Sequence, residues 1–368
     1  MNVKIITCHD VYNRGASLQA YALQCYLQDM GHSVQIIDYK PPYLSGHYKL
    51  WNKEHPKYSK NFVLNTAYNL AKLPQSLKSL ETKRVFDSFK EEYLCLTDKR
   101  YTSNAELKAD TPPADVYIAG SDQIWNTQWQ NGRDPAFFLA FAPEGSKKIS
   151  YAASMSSSMV EPELLPEFLD RVGALDSISL REQSSAEFLN AKLKSKRAVQ
   201  VLDPVFLLPR SRWEALAMRS SAEAHIKEPY LFVYEFGDNP AFKELAQKIS
   251  AKHGLKIISL FKSDYAARCL PKAGPLEFLR LIEGANFVLS SSFHATAFSV
   301  IFRKEFLVLP RQEDINLRMS DLLEGLDLSE RMSALSPSSS IDYSSVEVRL
   351  AAAVEASKAF LKEAVRGR

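Results

Sequence analysis

Hydrophobic positions in this chain fall into short solid runs separated by stretches with helical spacing, almost from one end to the other. Solid short runs predict strands buried on both faces, as a parallel sheet covered by helices requires. Val3–Thr7 is the first such run. Ser17–Met30 sets Leu18, Tyr21, Ala22, Cys25 and Leu27 along one side of a helix, and Gly31 then supplies a left-handed stop. Ser33–Tyr39 follows as a second strand, closed by Pro41-Pro42. A strand, a helix and a strand in such close succession make a parallel βαβ unit.

Further runs predict strands at Asp115–Gly120, Lys148–Ala153, Ser177–Leu180 and Val199–Leu202, with helices at Glu163–Val172 and Gln183–Leu193. Beyond Pro204 and Pro209 the alternation starts afresh. Strands Tyr230–Phe236, Lys256–Phe261, Phe287–Ser291 and Phe306–Leu309 interleave with helices Ala241–His253, Leu276–Ala285 and Thr296–Arg303. The restart predicts an α/β fold of two Rossmann-like doubly wound domains facing one another. We place the first at residues 1–208 and the second at 209–335. A linker and C-terminal helix over 336–368, the helix itself at Val346–Val365, are expected to pack back on the first domain. Two stretches break the rhythm: residues 40–61 are aromatic and basic without a period, and Ser333–Ser345 is Ser-rich; Asn61–Tyr93 reads as mostly helical.

Composition narrows the function. The 368 residues are 46% hydrophobic and 24% charged, enough apolar material for two cores and too much for a disordered chain. A net charge of +3 suits small anionic substrates and falls far short of a nucleic-acid-binding face, so no nucleic-acid partner is expected. Cys8, Cys25, Cys95 and Cys269 are scattered, which argues against a disulfide framework and a zinc cage, and no metal site is expected. The opening MNVKIITCHD reads as a strand rather than a signal peptide, and no apolar run has bilayer length, so a soluble cytoplasmic protein is expected.

Ligands of doubly wound sheets bind at the carboxyl ends of strands, which directs attention to five loops. In HDVYNRGASLQAYAL, Asn13 and Gly15 stand where a strand turns into a helix, whose N-terminus can receive an anion; a plain turn and cap is the competing reading. No GxGxxG is present there. In AGSDQIWN, Ser121, Asp122 and Gln123 project from a strand end; Asp122 is a candidate base or simply a helix cap, and Trp125 a candidate platform for a sugar ring. YAASMSSS offers small hydroxyl groups. In SLREQSS, Arg181 can pair with a carboxylate or phosphate, or with Glu182 next to it. The sharpest is VLSSSFHATAFSVIF, where Ser291 and Ser292 end a buried strand and His294 opens an apolar helix, a placement suited to proton transfer or anion binding. Arg311 and Arg318, the latter in NLRMSDLL, follow.

Eight segments in order, NRGASLQAYAL, VQIIDYKPP, ADVYIAGSDQIWN, KISYAAS, SLREQSSAEFL, VLDPVFLL, SSSFHATAFSVIFRKEF and NLRMSDLLEGLDLSER, resemble the polysaccharide pyruvyltransferase family along most of the chain. The resemblance implies a glycosyltransferase-B-like pair of domains. It also implies a bacterial-type enzyme of exopolysaccharide or capsule synthesis that moves pyruvyl from phosphoenolpyruvate onto two hydroxyls of one sugar, giving a cyclic ketal with no cofactor. Two departures stand out: Arg14 occupies a position where relatives often carry tyrosine, and Ser292 one where some branches carry arginine. Donor binding is then expected to involve Arg181, Ser291, Ser292, His294, Arg311 and Arg318, with His294 and Asp122 catalytic. The acceptor side is expected to involve Asn13, Arg14, Gly15, Ser121, Gln123 and Trp125. A lipid-linked saccharide acceptor would place the reaction at the inner face of the membrane. Tyr48, Trp51 and Tyr58 offer a peripheral membrane contact there, although an ordinary surface insertion is the preferred reading. Competing functions on this scaffold are a glycosyltransferase using a nucleotide sugar and a non-catalytic binding protein.

Overall fold

The computed structural model describes residues 1–44, 80–156, 159–236, 240–311, 316–333 and 340–366. Its first half comprises β1 (Asn2–Ile6), α1 (Arg14–Asp29), β2 (Ser33–Tyr39), α2 (residues 80–93), β3 (Leu96–Tyr101), α3 (Asn104–Ala109), β4 (Val116–Ala119), β5 (Lys147–Ser150), α4 (Leu165–Gly173), β6 (Ile178–Leu180), α5 (Gln183–Asn190) and β7 (Ala198–Gln200). The remainder comprises α6 (Arg210–Ala217), β8 (Tyr230–Tyr234), α7 (Pro240–His253), β9 (Lys256–Ser259), β10 (Arg268–Cys269), α8 (Pro275–Glu283), β11 (Phe287–Ser290), α9 (Phe293–Ile301), β12 (Glu305–Val308), α10 (Leu317–Gly325), α11 (Glu330–Ser333) and α12 (Tyr343–Val365).

β1 lies at the centre of a parallel sheet of order β3-β2-β1-β4-β5. Val3 is level with Val34 and Val116, and Ile5 with Ile36 and Ile118, so like residues stack across the sheet. Bridges from Ile149 to Ser177 and from Ala153 to Leu180 carry this sheet on toward the short pair β6–β7. The second sheet repeats the plan, β10-β9-β8-β11-β12, again parallel throughout. Each sheet therefore reverses its winding beside its central strand, between β1 and β4 and between β8 and β11. Those reversals open the crevices in which such sheets bind ligands.

Apolar side chains pack in three layers. Ile6, Tyr117, Trp125, Phe137 and Leu180 cover one face of the first sheet, and Leu231, Val233, Phe242 and Leu307 cover the far face of the second. Between the sheets, one continuous layer runs from Ile5, Leu18 and Ile118 through Val205 and Trp213 to Phe232, Val288 and Phe298. The two halves thus share hydrocarbon, which fixes their crevices toward each other. α12 adds a strap. Near its start Tyr343 Oη donates to Lys304 O at 2.5 Å, and further along Ser357 Oγ accepts from Leu202 N at 2.9 Å. Lys147 Nζ donates to Arg366 O just beyond its end.

The strands and long helices fall where periodicity puts them, within a few residues. β3 was not foreseen because it is an edge strand whose Asp98, Lys99 and Arg100 are exposed, so it needs no solid apolar run. The short α3 and the polar α6 also escape a reading based on apolar spacing. α9 begins at Phe293, three residues before its predicted start at Thr296, which puts His294 inside its first turn. Tyr48, Trp51 and Tyr58, most of the aromatic-basic stretch, most of the predicted helix before residue 80 and the centre of the Ser-rich linker lie outside the described residues. Among the described residues no helix is long and apolar enough to cross a membrane.

Candidate active site

The two crevices face each other and merge into a cleft of about 520 Å³. Asn13, from the loop after β1, and Asp122 and Gln123, from the loop after β4, line it from the first sheet. Ser291, Ser292 and His294, after β11, line it from the second, with Arg311 and Arg318 beside them. Both topological switch points therefore contribute to one site.

His294 is held by close approach. A Cβ built on Gly15 would lie 2.1 Å from His294 Nδ1, so the imidazole rests directly on the backbone at the start of α1. The side chain is 8% exposed, and its Nε2 stands 3.7 Å from Asp203 Oδ2 without a hydrogen-bond partner. Two residues earlier, Ser292 takes the N-cap position of α9 without capping it through its side chain. The free N–H groups of that turn, and the positive end of the helix dipole, suit an anion in the cleft.

Asp203 is the hub beneath the site. Its Oδ2 receives Arg181 Nη1 at 2.7 Å and Ser121 Oγ at 3.1 Å, and its Oδ1 receives Val205 N at 3.1 Å. Burial pushes its carboxyl up, but the neighbouring His294 and Arg181 outweigh burial and hold it well below the usual carboxylate range. Arg181 Nη2 lies 3.7 Å from Asp122 Oδ1, and Arg181 stacks over the Phe293 ring at 4.4 Å. Glu182, fully buried beside Arg181 and accepting from Ser154 Oγ, is pushed up by burial. Because the native Asp203 ionises more readily than an unfolded one, its contribution to stability is complete above about pH 4 and is lost as pH falls toward its native pKa. Asp203→Asn should lower unfolding free energy by about 3 kcal/mol at neutral pH, since it removes the nearest of the three carboxylates around the buried Arg181. Urea melts of both proteins check this, and the gap between them should narrow below about pH 4.

On the open side, Asp122 is held in the left-handed region at φ 72°, which a short polar residue tolerates, and its carboxylate reaches the cleft. Gln123, with its amide oxygen toward Arg318, accepts from both terminal guanidinium nitrogens at 2.7 and 3.0 Å. Burial first, and then repulsion from Arg181, pull Arg318 down to about 10, still cationic at neutral pH. Arg311 lies over the Phe236 ring at 5.6 Å. Cys8 also reaches the cleft, but burial, reinforced by Asp122 and Asp134, raises its thiol pKa, which keeps it a neutral wall. The result is one cationic wall carrying an open helix N-terminus and one wall of carboxylate and amide groups.

The polysaccharide pyruvyl transferase family model matches residues 13–313. The chain belongs to this family. No curated protein matches its sequence. Among solved structures, UDP-N-acetylglucosamine 2-epimerase from Rickettsia bellii superposes with a TM-score of 0.51 at 13% identity, covering 98% of this chain and 95% of that one. UDP-GlcNAc 2-epimerase from Neisseria meningitidis, bound to UDP-GlcNAc, gives 0.49 at 11% identity over 100% and 95% of the two chains. Identities this low speak to fold alone, and the fold is the glycosyltransferase-B-like pair of Rossmann-like domains.

The residues singled out from sequence divide into three groups. Asn13, Asp122, Gln123, Ser291, Ser292, His294, Arg311 and Arg318 all line the cleft, with Gly15 directly behind His294. Arg181 and Ser121 sit behind the lining, tied to Asp203. Arg14 and Trp125 are elsewhere. Arg14 Nε donates to Ala273 O at 2.9 Å and its guanidinium lies among Phe86, Tyr234 and Phe261, so it joins the two halves rather than facing a ligand. Trp125 is 0% exposed, stacked on Phe138 with Nε1 donating to Phe137 O at 3.0 Å, and meets no sugar. Sequence reasoning passed over Asp203, whose signal was an Asp-Pro pair at a strand end in VLDPVFLL, and over Trp129, which lies in an irregular loop where spacing does not tell an inward side chain from an outward one.

Proposed function

We propose that this chain transfers the pyruvyl group of phosphoenolpyruvate to two hydroxyls of one sugar in a surface-polysaccharide precursor, a lipid-linked one, forming a cyclic ketal and releasing phosphate. The observation that carries the reading is the division of the cleft. Arg311, Arg318, Ser292 and the α9 N-terminus form a wall able to hold a phosphate and a carboxylate at once, and Asp122 faces it from the other sheet. In this reading His294 protonates the methylene carbon of the donor, and the C2 centre becomes oxocarbenium-like. One sugar hydroxyl adds to C2 and passes its proton to Asp122. Phosphate then leaves with the C2–O bond pair, and the second hydroxyl closes the ring as its proton is taken up. Asp203 acts through His294 by keeping a carboxylate beside the ring, and Gln123 holds Arg318 in place.

The test is an incubation with phosphoenolpyruvate and a panel of free and lipid-linked saccharides, followed by phosphate assay and mass spectrometry. The expected result is phosphate release matched by a saccharide mass gain equal to one pyruvic acid less one water. Release of a nucleotide from a nucleotide sugar, with phosphoenolpyruvate left intact, would overturn it.

A further inference from the structure

We infer that Trp129 is a stacking platform for a sugar ring at the mouth of the cleft. This rests on the reading above only in taking the ligand to be a saccharide; the donor plays no part in it. Tryptophan is normally well covered, and Trp125 and Trp213 are each 0% exposed here, whereas Trp129 is 61% exposed. It lines the cleft with Tyr43, Gln130 and Asn131, next to the Asp122–Gln123 loop.

The exposure is not the by-product of a loose loop. Trp129 N donates to Asn126 O at 3.0 Å, and Gly132 N donates back to Trp129 O at 3.2 Å. Gln128 N donates to Asn126 Oδ1 at 3.1 Å, Arg133 Nε to Thr127 O at 2.8 Å, and Asn131 Nδ2 to Gln123 O. Gly132 lies so close to Asn126 that a Cβ there would come within 2.2 Å of its carbonyl carbon. The segment is thus cross-braced on both sides of the indole, and the last of these bonds ties it to Gln123, the residue that holds Arg318. Such a platform offers a large apolar face at little entropic cost to whatever settles on it.

The occupant must combine an apolar face with a polar edge. A pyranose does, since its axial C–H bonds present one flat face and its hydroxyls ring the periphery, where Gln130 and Asn131 offer amide donors and acceptors. The substrate class that follows is an acceptor saccharide whose ring lies flat on the indole with its hydroxyls toward Asp122.

Calorimetric titration of cellotriose, maltotriose, chitotriose and mannotriose into the full chain tests this, with thermal melting as the control for folding. At least one trisaccharide should bind the wild type and shift its tryptophan emission. For that sugar Trp129→Ala should weaken binding by about tenfold or more, roughly 1.4 kcal/mol, without lowering the melting temperature. Trp129→Phe should retain affinity within about threefold, while Trp129→Leu should behave like the alanine variant, because bulk without a π-face does not substitute. The inference is overturned if Trp129→Ala binds as well as wild type, if Trp129→Leu matches Trp129→Phe, or if none of the four sugars binds. Saccharide binding that depends on Trp129 with no phosphate released from phosphoenolpyruvate would leave it standing and sink the transfer reaction instead.

Discussion

His294→Ala is expected to lower turnover of phosphoenolpyruvate by about 10²–10⁴-fold, the usual worth of a positioned acid or base. The side chain lies in the first turn of α9 at the floor of the cleft, with Nε2 unpartnered by protein and a carboxylate 3.7 Å away. The imidazole lines the cleft with the buried Asp203 carboxylate beside its Nε2, and next to a bound donor such a ring can deliver a proton. Its removal takes away contact with Gly15 but no hydrogen bond, so the protein should remain folded. Single-turnover kinetics with circular dichroism as a folding control decide the matter, and near-wild-type turnover in the variant would exclude His294 from the chemistry.

Gly15→Ala is the second large effect, at a residue with no chemistry of its own. At an unhindered position inside a helix this change stabilises by about 1 kcal/mol. Here the new methyl would stand 2.1 Å from Nδ1 and 2.3 Å from the Cγ of His294, so either α1 or the imidazole must shift. Displacement of a catalytic group by about 1 Å is enough to cost about 10²-fold, so activity should fall at least that far. Stability should fall as well, reversing the usual sign, by about 1–3 kcal/mol as overpacked sites do. In a His294→Gly background the collision disappears and the stability cost of Gly15→Ala should go with it, which a double-mutant cycle of urea melts would show.

The sequence conveyed the sheets far better than the site. Buried parallel strands such as Phe287–Ser290 announce themselves because every position is apolar or small, and the two windings followed from their order. Strand ends are equally legible, and this is why the cleft-lining residues Asp122, Ser292 and His294 were nameable: a parallel fold sends its strand ends to one edge. What lay beyond reach was direction. Trp125 and Trp129 share a loop, yet one turns into the Phe137–Phe138 layer and the other into solvent, a choice made by bracing between Asn126, Gly132 and Arg133 that no spacing rule encodes. Arg14 and Arg181 were equally ambiguous. A guanidinium looks the same in sequence whether it awaits a phosphate or is satisfied by Ala273 O or Asp203. Asp203 remained hidden for a related reason, since its importance comes from three distant loops converging on one oxygen pair.

The chain crosses between the two halves twice, once from β7 to β8 and again along α12, which starts on the second sheet at Lys304 and ends beside Leu202 and Lys147. Separating the halves would mean stripping α12 from both of them while also parting the apolar layer between the sheets, so the spacing of wall residues such as Asp122 and Arg318 is clamped from behind.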